Sequence, residues 1–246
     1  MDRFAVLSDI NANIWALEAV LADFSMRGLD QIINLGNTLY GPLEPQATAE
    51  CLMKVSLVSI QGNQDRQLLD LPISPVSRTL AYVLKDLSSR SLDWLAAQPA
   101  TRVFADSLFF CHGTPLSDQV YLLESMTPAG GFLQEPAAIQ AQLTEVHQAM
   151  LLCGHSHIPR ILQLPAGPLI VNPGSVGLPA YSDDLPVVHK METGSPHARY
   201  AIIAKTVTGW TVEQIAVPYD WDKAAGQARR LGQDAWAGWL ETDRAQ

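Results

Sequence analysis

The chain alternates short apolar runs with polar, glycine-containing breaks, and the breaks carry most of its chemistry. Phe4-Ala5-Val6-Leu7 is the first run; it stops at Ser8-Asp9-Ile10-Asn11-Ala12-Asn13, and an amphipathic pattern follows over about 14–26. A short apolar run bounded by turn residues reads as a buried strand, and the longer 3.6-residue periodicity as a helix. The layout then repeats. Residues 31–35 predict a strand ending at Gly36-Asn37, and Tyr40-Gly41-Pro42 turns the chain into a helix over 45–54, where Pro45 suits the first turn. Residues 55–60 predict a third strand, ended by Gln61-Gly62-Asn63-Gln64-Asp65-Arg66.

Residues 65–98 read as mostly helical, with Leu80, Val83, Leu84, Leu87 and Leu92 spaced for one core-facing side. Strands over 101–104 and 107–111 form a hairpin through Ala105-Asp106, and the second ends at His112-Gly113-Thr114-Pro115. Residues 116–136, with Pro128 and Gly130-Gly131, read as a loop or short cap near the site, and 137–148 as a helix. The run Met150-Leu151-Leu152-Cys153 breaks at Gly154-His155-Ser156-His157. A hairpin over 161–164 and 169–171 ends at Asn172-Pro173-Gly174-Ser175-Val176-Gly177. Residues 178–199 predict a long, polar, irregular loop, and strands over 200–207 and 209–217 are expected to complete a second sheet before an amphipathic tail from Asp220.

Strands alternating with helices predict an α/β fold, here one domain over residues 1–246, with its polar strand ends gathered at one edge. Each break alone has a bland reading. Asp9 suits a helix cap or turn, glycine-asparagine breaks suit ordinary turns, and His155 and His157 suit two loop histidines. Several such ends in register point instead to a common site.

Composition narrows the function classes. With 246 residues, 48% of them apolar and 17% charged, the chain can bury a sizeable core. No apolar run approaches the roughly 18 residues of a membrane span, and the chain begins without a basic-then-apolar leader, so a soluble cytoplasmic protein is expected. The net charge of −9 disfavours nucleic acid and anionic membranes as partners. An anionic ligand then needs local positive charge, which a metal would supply. Cys51, Cys111 and Cys153 are an odd number without a C-x-x-C pair, and they read as buried small apolar residues.

Taken together, S-D-I-N-A-N, L-G-N, Y-G-P, G-N-Q-D, C-H-G-T-P, G-H-S-H and N-P-G-S-V-G, spread over residues 9–177, resemble in order and spacing the calcineurin-like metallophosphoesterases, and among them the YfcE-like and MJ0936-like phosphodiesterase group. The resemblance implies a four-layer αββα sandwich of two mixed sheets flanked by helices, with a metal site at the strand ends. It implies hydrolysis of phosphomonoesters or phosphodiesters by a metal-activated water, the metal being manganese, iron or zinc. Carried over residue by residue, Asp9, Asn11 and His157 hold one metal, Asn63, His112 and His155 a second, and Asn37 bridges them. Gln64 and Asp65 fall at catalytic positions. Asn172, together with Asp183, His189 and Arg199 of the long loop, are substrate-binding candidates.

Three positions depart from the family pattern: Asn11 replaces a histidine, Asn37 the bridging aspartate, and Gln64 a histidine, while Ala12 replaces a usual glycine. An uncharged bridge leaves two dications repelling one another, so one metal rather than two is expected, nearer His155. Glutamine donates a hydrogen bond but no proton, and losing a general acid typically costs about 10²–10⁴-fold in rate. The expected partner is a small phosphorylated ligand, and a homo-oligomer is compatible with the sequence. The alternative is a catalytically inactive family member that binds a phosphorylated ligand or a protein partner.

Overall fold

Period-two alternation along the strands sets the layers of the fold. The computed structural model describes residues 3–29, 31–70 and 77–245. Its first half runs β1 (Arg3–Leu7), α1 (Ile14–Met26), β2 (Ile32–Asn34), α2 (Pro45–Leu52), β3 (Leu57–Ser59), α3 (Asn63–Leu69), α4 (Arg78–Asp86), α5 (Ser89–Ala96), β4 (Arg102–Phe104) and β5 (Leu108–Phe110). There follow β6 (Glu124–Thr127), β7 (Gly130–Leu133), α6 (Pro136–Ala141), β8 (Met150–Leu152), β9 (Arg160–Gln163) and β10 (Leu169–Asn172). The last part is β11 (Ala180–Asp183), β12 (His189–Glu192), β13 (Ala198–Thr206), β14 (Gly209–Val217), α7 (Trp221–Arg230) and α8 (Asp234–Thr242).

Two five-stranded mixed sheets, ordered β14-β13-β1-β2-β3 and β4-β5-β8-β10-β9, face each other. In the first, β1, β2 and β3 are parallel and β13 runs antiparallel to β1. In the second, β5, β8 and β10 are parallel, with β4 and β9 antiparallel at the edges. Phe4 and Val6 of β1 meet Leu108, Phe110, Met150 and Leu152 between the sheets. The alternate residues Ala5 and Leu7 pack under α1, while Leu151 and Cys153 pack toward Ile139 of α6. Helix, sheet, sheet and helix are therefore the four layers, held by two-sided apolar burial of parallel strands.

Four elements differ from the sequence expectation. The strands over 200–207 and 209–217 do not build a second sheet; β13 pairs directly with β1 and β14 with β13, extending the first sheet. The register fits because Ala201 and Ile203 face the inter-sheet core while Tyr200 and Ile202 face the helices. The helix expected over 137–148 ends at Ala141, and Leu143 and Val146 are buried from turns beyond it. The polar stretch 178–199 is not irregular, because β11 and β12 pair within it, and the loop 116–136 contains the hairpin β6–β7. Both stretches hold enough alternating apolar positions, Tyr181 and Met191 among them, to form small two-stranded sheets. In the helical stretch, residues 71–76 lie outside the described residues.

The amphipathic tail forms α7 and α8. Its apolar side, including Ala224, Ala228, Trp236 and Leu240, packs on Ala12, Leu43 and Leu178. The C-terminus is thus brought against the first polar strand end. Asp243 closes α8 in a left-handed conformation with φ of 54° and accepts from the backbone and hydroxyl of Thr193 at 3.0 Å each.

Close approach of these loops depends on Gly177, where an added Cβ would lie 1.8 Å from the carbonyl oxygen of Ile10. Gly177→Ala is therefore expected to lower the free energy of unfolding by at least about 2 kcal/mol through forced overpacking. At Gly238, within α8, an added methyl group would meet no atom within 4 Å. Gly238→Ala should raise stability by about 0.5–1 kcal/mol through helix propensity. Urea unfolding of the two variants checks both signs.

Candidate metal centre

β1 ends by delivering Asp9, fully buried and with φ of 53°. The left-handed turn is stitched to the end of β2 by backbone bonds from Asp9 to Gly36, Asn11 to Asn37 and Ala12 to Thr38, at 2.9, 2.9 and 3.0 Å. Six non-glycine residues at these strand ends, Asp9, Asn11, Ala12, Asn37, His155 and His157, have positive φ. Such conformations cost of order 1–3 kcal/mol each and concentrate where side chains must be aimed.

The carboxylate of Asp9 is used unequally. Its Oδ2 accepts from Ser8 Oγ at 2.6 Å and from the backbone N–H of His155 at 3.1 Å. Its Oδ1 faces His157 Nε2 at 3.2 Å and His112 Nε2 at 3.8 Å. Burial pushes this carboxyl up, but the positive charge that His157 and His112 carry when protonated, together with the hydrogen bond from Ser8, outweighs it and holds the group well below the ordinary carboxylate range. Asp9 is an anion at any ordinary pH.

The two imidazoles are oriented from behind. His112 Nδ1 lies 2.8 Å from the carbonyl oxygen of Leu35, and His157 Nδ1 lies 2.7 Å from that of Leu178. A carbonyl only accepts, so each Nδ1 carries the proton and donates, and in the neutral ring the Nε2 lone pair is turned toward Asp9. That arrangement is how metal-ligating histidines are held. His155 stacks on Tyr121, with ring centroids 4.5 Å apart, and its ring lies 5.1 Å from that of His112. Burial, and then the neighbouring His112, push the His155 imidazole down to about 3, so it stays neutral.

The three substituted positions touch one another. Asn11 Nδ2 donates to Gln64 Oε1 at 2.9 Å, and the Gln64 backbone N–H donates to Asn37 Oδ1 at 3.0 Å. The amide oxygen at the bridging position is therefore already engaged. Asn63, which opens α3, and Asn11 each leave Oδ1 buried without a hydrogen-bond partner, as do Asp9 Oδ1 and His112 Nε2. Four buried acceptors at one set of strand ends with no donor among them would cost about 1–3 kcal/mol each. Carboxylate and amide oxygens and an imidazole nitrogen are the ligand types of a divalent cation.

The other sequence candidates separate by position. Asp65 is fully buried and turned away from the cleft; it accepts from the backbone of Thr38 at 2.8 Å, Leu39 at 3.4 Å and Gly62 at 3.1 Å. Asn172 is buried behind the His155 loop, donating to Gly154 O at 2.9 Å and Ser156 Oγ at 3.1 Å and accepting from Gly174 N at 2.9 Å. His189 is buried against the Tyr121 hydroxyl at 3.1 Å. Arg199 is spent on Thr193 O and Ser195 Oγ at 3.3 and 3.0 Å. Asp183 is exposed on β11 at the cleft wall.

A cleft of about 230 Å³ opens onto Asn37, Asn63, Gln64, His155 and His157. It is also lined by Tyr40, of the Tyr40-Gly41-Pro42 turn, and by Tyr181, Trp236 and Trp239, which the strand-end reading passed over. Only the amphipathic spacing of the tail and the aromatic within the polar stretch 178–199 signalled those three. Among the described residues, no three His, Cys, Asp or Glu side chains converge closely enough to hold a metal ion by themselves. The amides of Asn11 and Asn63 add unpartnered oxygens at the same strand ends, donor types that suit a divalent cation.

Two mixed sheets deliver a carboxylate, amides and imidazoles to one edge of the fold. The chain belongs to the calcineurin-like phosphoesterase superfamily, hydrolases of phosphate esters, whose domain matches residues 3–194. A metallophosphoesterase from Sphaerobacter thermophilus shares the fold with a TM-score of 0.78 at 24% identity, over 99% of this chain and 100% of that one. In sequence, the uncharacterized protein MJ0912 of Methanocaldococcus jannaschii is 24% identical over 256 residues, 95% of each chain. Among the described residues no helix is long and apolar enough to cross a membrane.

The contrast between Asp65 and Asp183 is measurable. Asp65→Ala strands three buried backbone N–H groups and is expected to cost about 3 kcal/mol of stability. Asp183→Ala, at an exposed position, should change stability by no more than about 0.5 kcal/mol. Equal effects in urea unfolding would contradict the placement of Asp65 as a loop clamp.

Proposed function

We propose that the protein is a metal-dependent phosphoesterase that hydrolyses a small phosphorylated ligand with one divalent cation centred on Asp9. The observation that carries this reading is the group of buried, donorless acceptors, Asp9 Oδ1, His112 Nε2, Asn11 Oδ1 and Asn63 Oδ1. His157 Nε2, 3.2 Å from Asp9 Oδ1, completes the set. These side chains suit manganese, iron or zinc. Asp9 is the one carboxylate among them, so one dication leaves the centre near a single positive charge, whereas two would repel strongly in a buried site. The approach of His157 and His112 to Asp9 Oδ1 supports a cation there rather than nearer His155.

When bound, a divalent cation at this centre neutralises phosphate charge and acidifies water. The chain's own residues then position the reactants. Asn63 and Gln64 line the cleft, and Gln64 Oε1 is held by Asn11, which leaves its Nε2 to donate to a phosphate oxygen. The attacking water forms the new P–O bond and releases its proton to solvent. The ester P–O bond breaks, and the departing oxygen takes the electron pair. Gln64 supplies no proton to it, so turnover favours substrates whose leaving oxygen is weakly basic.

The hydrogen bond joining Asn11 to Gln64 also supports a second reading, an inactive phosphate-ligand binder in which the substituted positions serve only to hold the loops. One experiment separates the two. Titration of metal-free protein with Mn²⁺ is expected to give one ion per chain and metal-dependent hydrolysis of bis(4-nitrophenyl) phosphate, abolished by EDTA. Asp9→Asn should weaken the metal by at least about 100-fold, and Asn37→Asp should raise the stoichiometry toward two. Hydrolysis that survives both EDTA and Asp9→Asn would overturn the proposal, and metal binding without turnover would favour the binder.

A further inference from the structure

The cleft has two kinds of lining, the polar Asn63, His155 and His157 and the aromatic Tyr40, Tyr181, Trp236 and Trp239. Among the described residues no lysine or arginine lines it, and its one carboxylate is the exposed Asp183. A phosphate gains no charged side-chain clamp here, so a ligand must draw affinity from the part that does not react.

The aromatic lining is built to be rigid. Trp236 is 8% exposed, and its ring centroid lies 6.0 Å from that of Trp239 at an interplanar angle of 44°. Helix α8, which carries both, is fastened to the end of β12 and the residues beyond it by Asp243 on Thr193 and by the Arg244–Glu192 ion pair at 2.7 Å. Tyr181 is fixed from two sides, its hydroxyl lying 2.9 Å from Tyr121 Oη and 3.1 Å from the carbonyl oxygen of His155. Its ring centroid lies 4.6 Å from that of His157, so the aromatic wall begins immediately beside the acceptor cluster.

Rigid aromatic faces with few polar partners suit a planar ring, since stacking is insensitive to the ring's own hydrogen-bonding pattern. We infer that the cleft selects phosphate esters or anhydrides carrying a planar aromatic group, a mononucleotide being the chemical type, with the phosphate toward Asp9 and the ring against Tyr40, Trp236 and Trp239. The phosphate end of this inference rests on the metal-centre reading above. The ring end rests on the wall alone. The net charge of −9, which disfavours a polyanionic nucleic acid, does not act against a single nucleotide whose charge a cation neutralises.

Calorimetric titration with AMP and with ribose 5-phosphate tests the inference, because the shared phosphate cancels in the ratio of affinities. Titration first without added metal keeps turnover from consuming the ligands; repetition with Mn²⁺ follows. AMP is expected to bind at least about tenfold more tightly than ribose 5-phosphate and to quench tryptophan fluorescence. Trp239→Ala should bring AMP down to the ribose 5-phosphate level, and Trp239→Phe should keep most of the preference. Equal affinities in the unaltered protein, or a preference untouched by Trp239→Ala and Tyr40→Ala together, would overturn the inference. Hydrolysis of bis(4-nitrophenyl) phosphate is scored separately. Metal-dependent hydrolysis without an AMP preference sinks only this inference, and an AMP preference without hydrolysis sinks only the hydrolase reading.

Discussion

A buried carboxylate at the end of the first strand is the constraint around which the other strand ends are arranged. Asp9 is fully buried, and an isolated charge in that position would cost several kcal/mol. Ser8 and the His155 backbone donate to one of its oxygens, while the other faces the imidazoles of His157 and His112 with no donor of its own. Ser8 follows β1 of the first sheet and His155 follows β8 of the second, so the first oxygen gains both donors only when the sheets pack with their strand ends level. The left-handed residues at the same ends are the local cost of aiming those side chains inward.

Three amide side chains at the strand ends act as a linked set. Asn11, Gln64 and Asn37 are joined by side-chain and backbone hydrogen bonds. Neutral amides can both donate and accept, so they hold the three loops together without the charge a second cation would require. One buried carboxylate and two imidazoles oriented by backbone carbonyls remain beside them. Asp65 supports the arrangement from behind by tying α3 to the loop after β2.

The tail and the hairpin β11–β12 turn a row of strand ends into a cleft. Ala224, Ala228 and Leu240 anchor the tail on Ala12, Leu43 and Leu178, and Trp236 and Trp239 thereby reach the site. Leu178 serves twice, because its carbonyl also orients His157. A change in the seat of the tail would therefore reach the imidazole as well as the aromatic wall.

The layered fold was legible in the residues of the strands, because Phe4, Val6, Leu108 and Phe110 alternate with neighbours that face the helices. The row of polar ends was legible too: Asp9, Asn63, His112, His155 and His157 each follow an apolar run and sit beside a turn. Sheet membership of β13 and β14 was not, since a strand's own pattern shows that it has two faces but not which neighbour it will pair with. Nor could local pattern show that Asp65 and Asn172 spend their polar atoms on backbone groups, while Tyr40, Tyr181, Trp236 and Trp239 meet across a cleft. The chemistry available at each strand end is a property of single residues and their turns, so sequence alone determined it. Which of those residues share a cavity depends on long-range packing, and only the tertiary structure decided it.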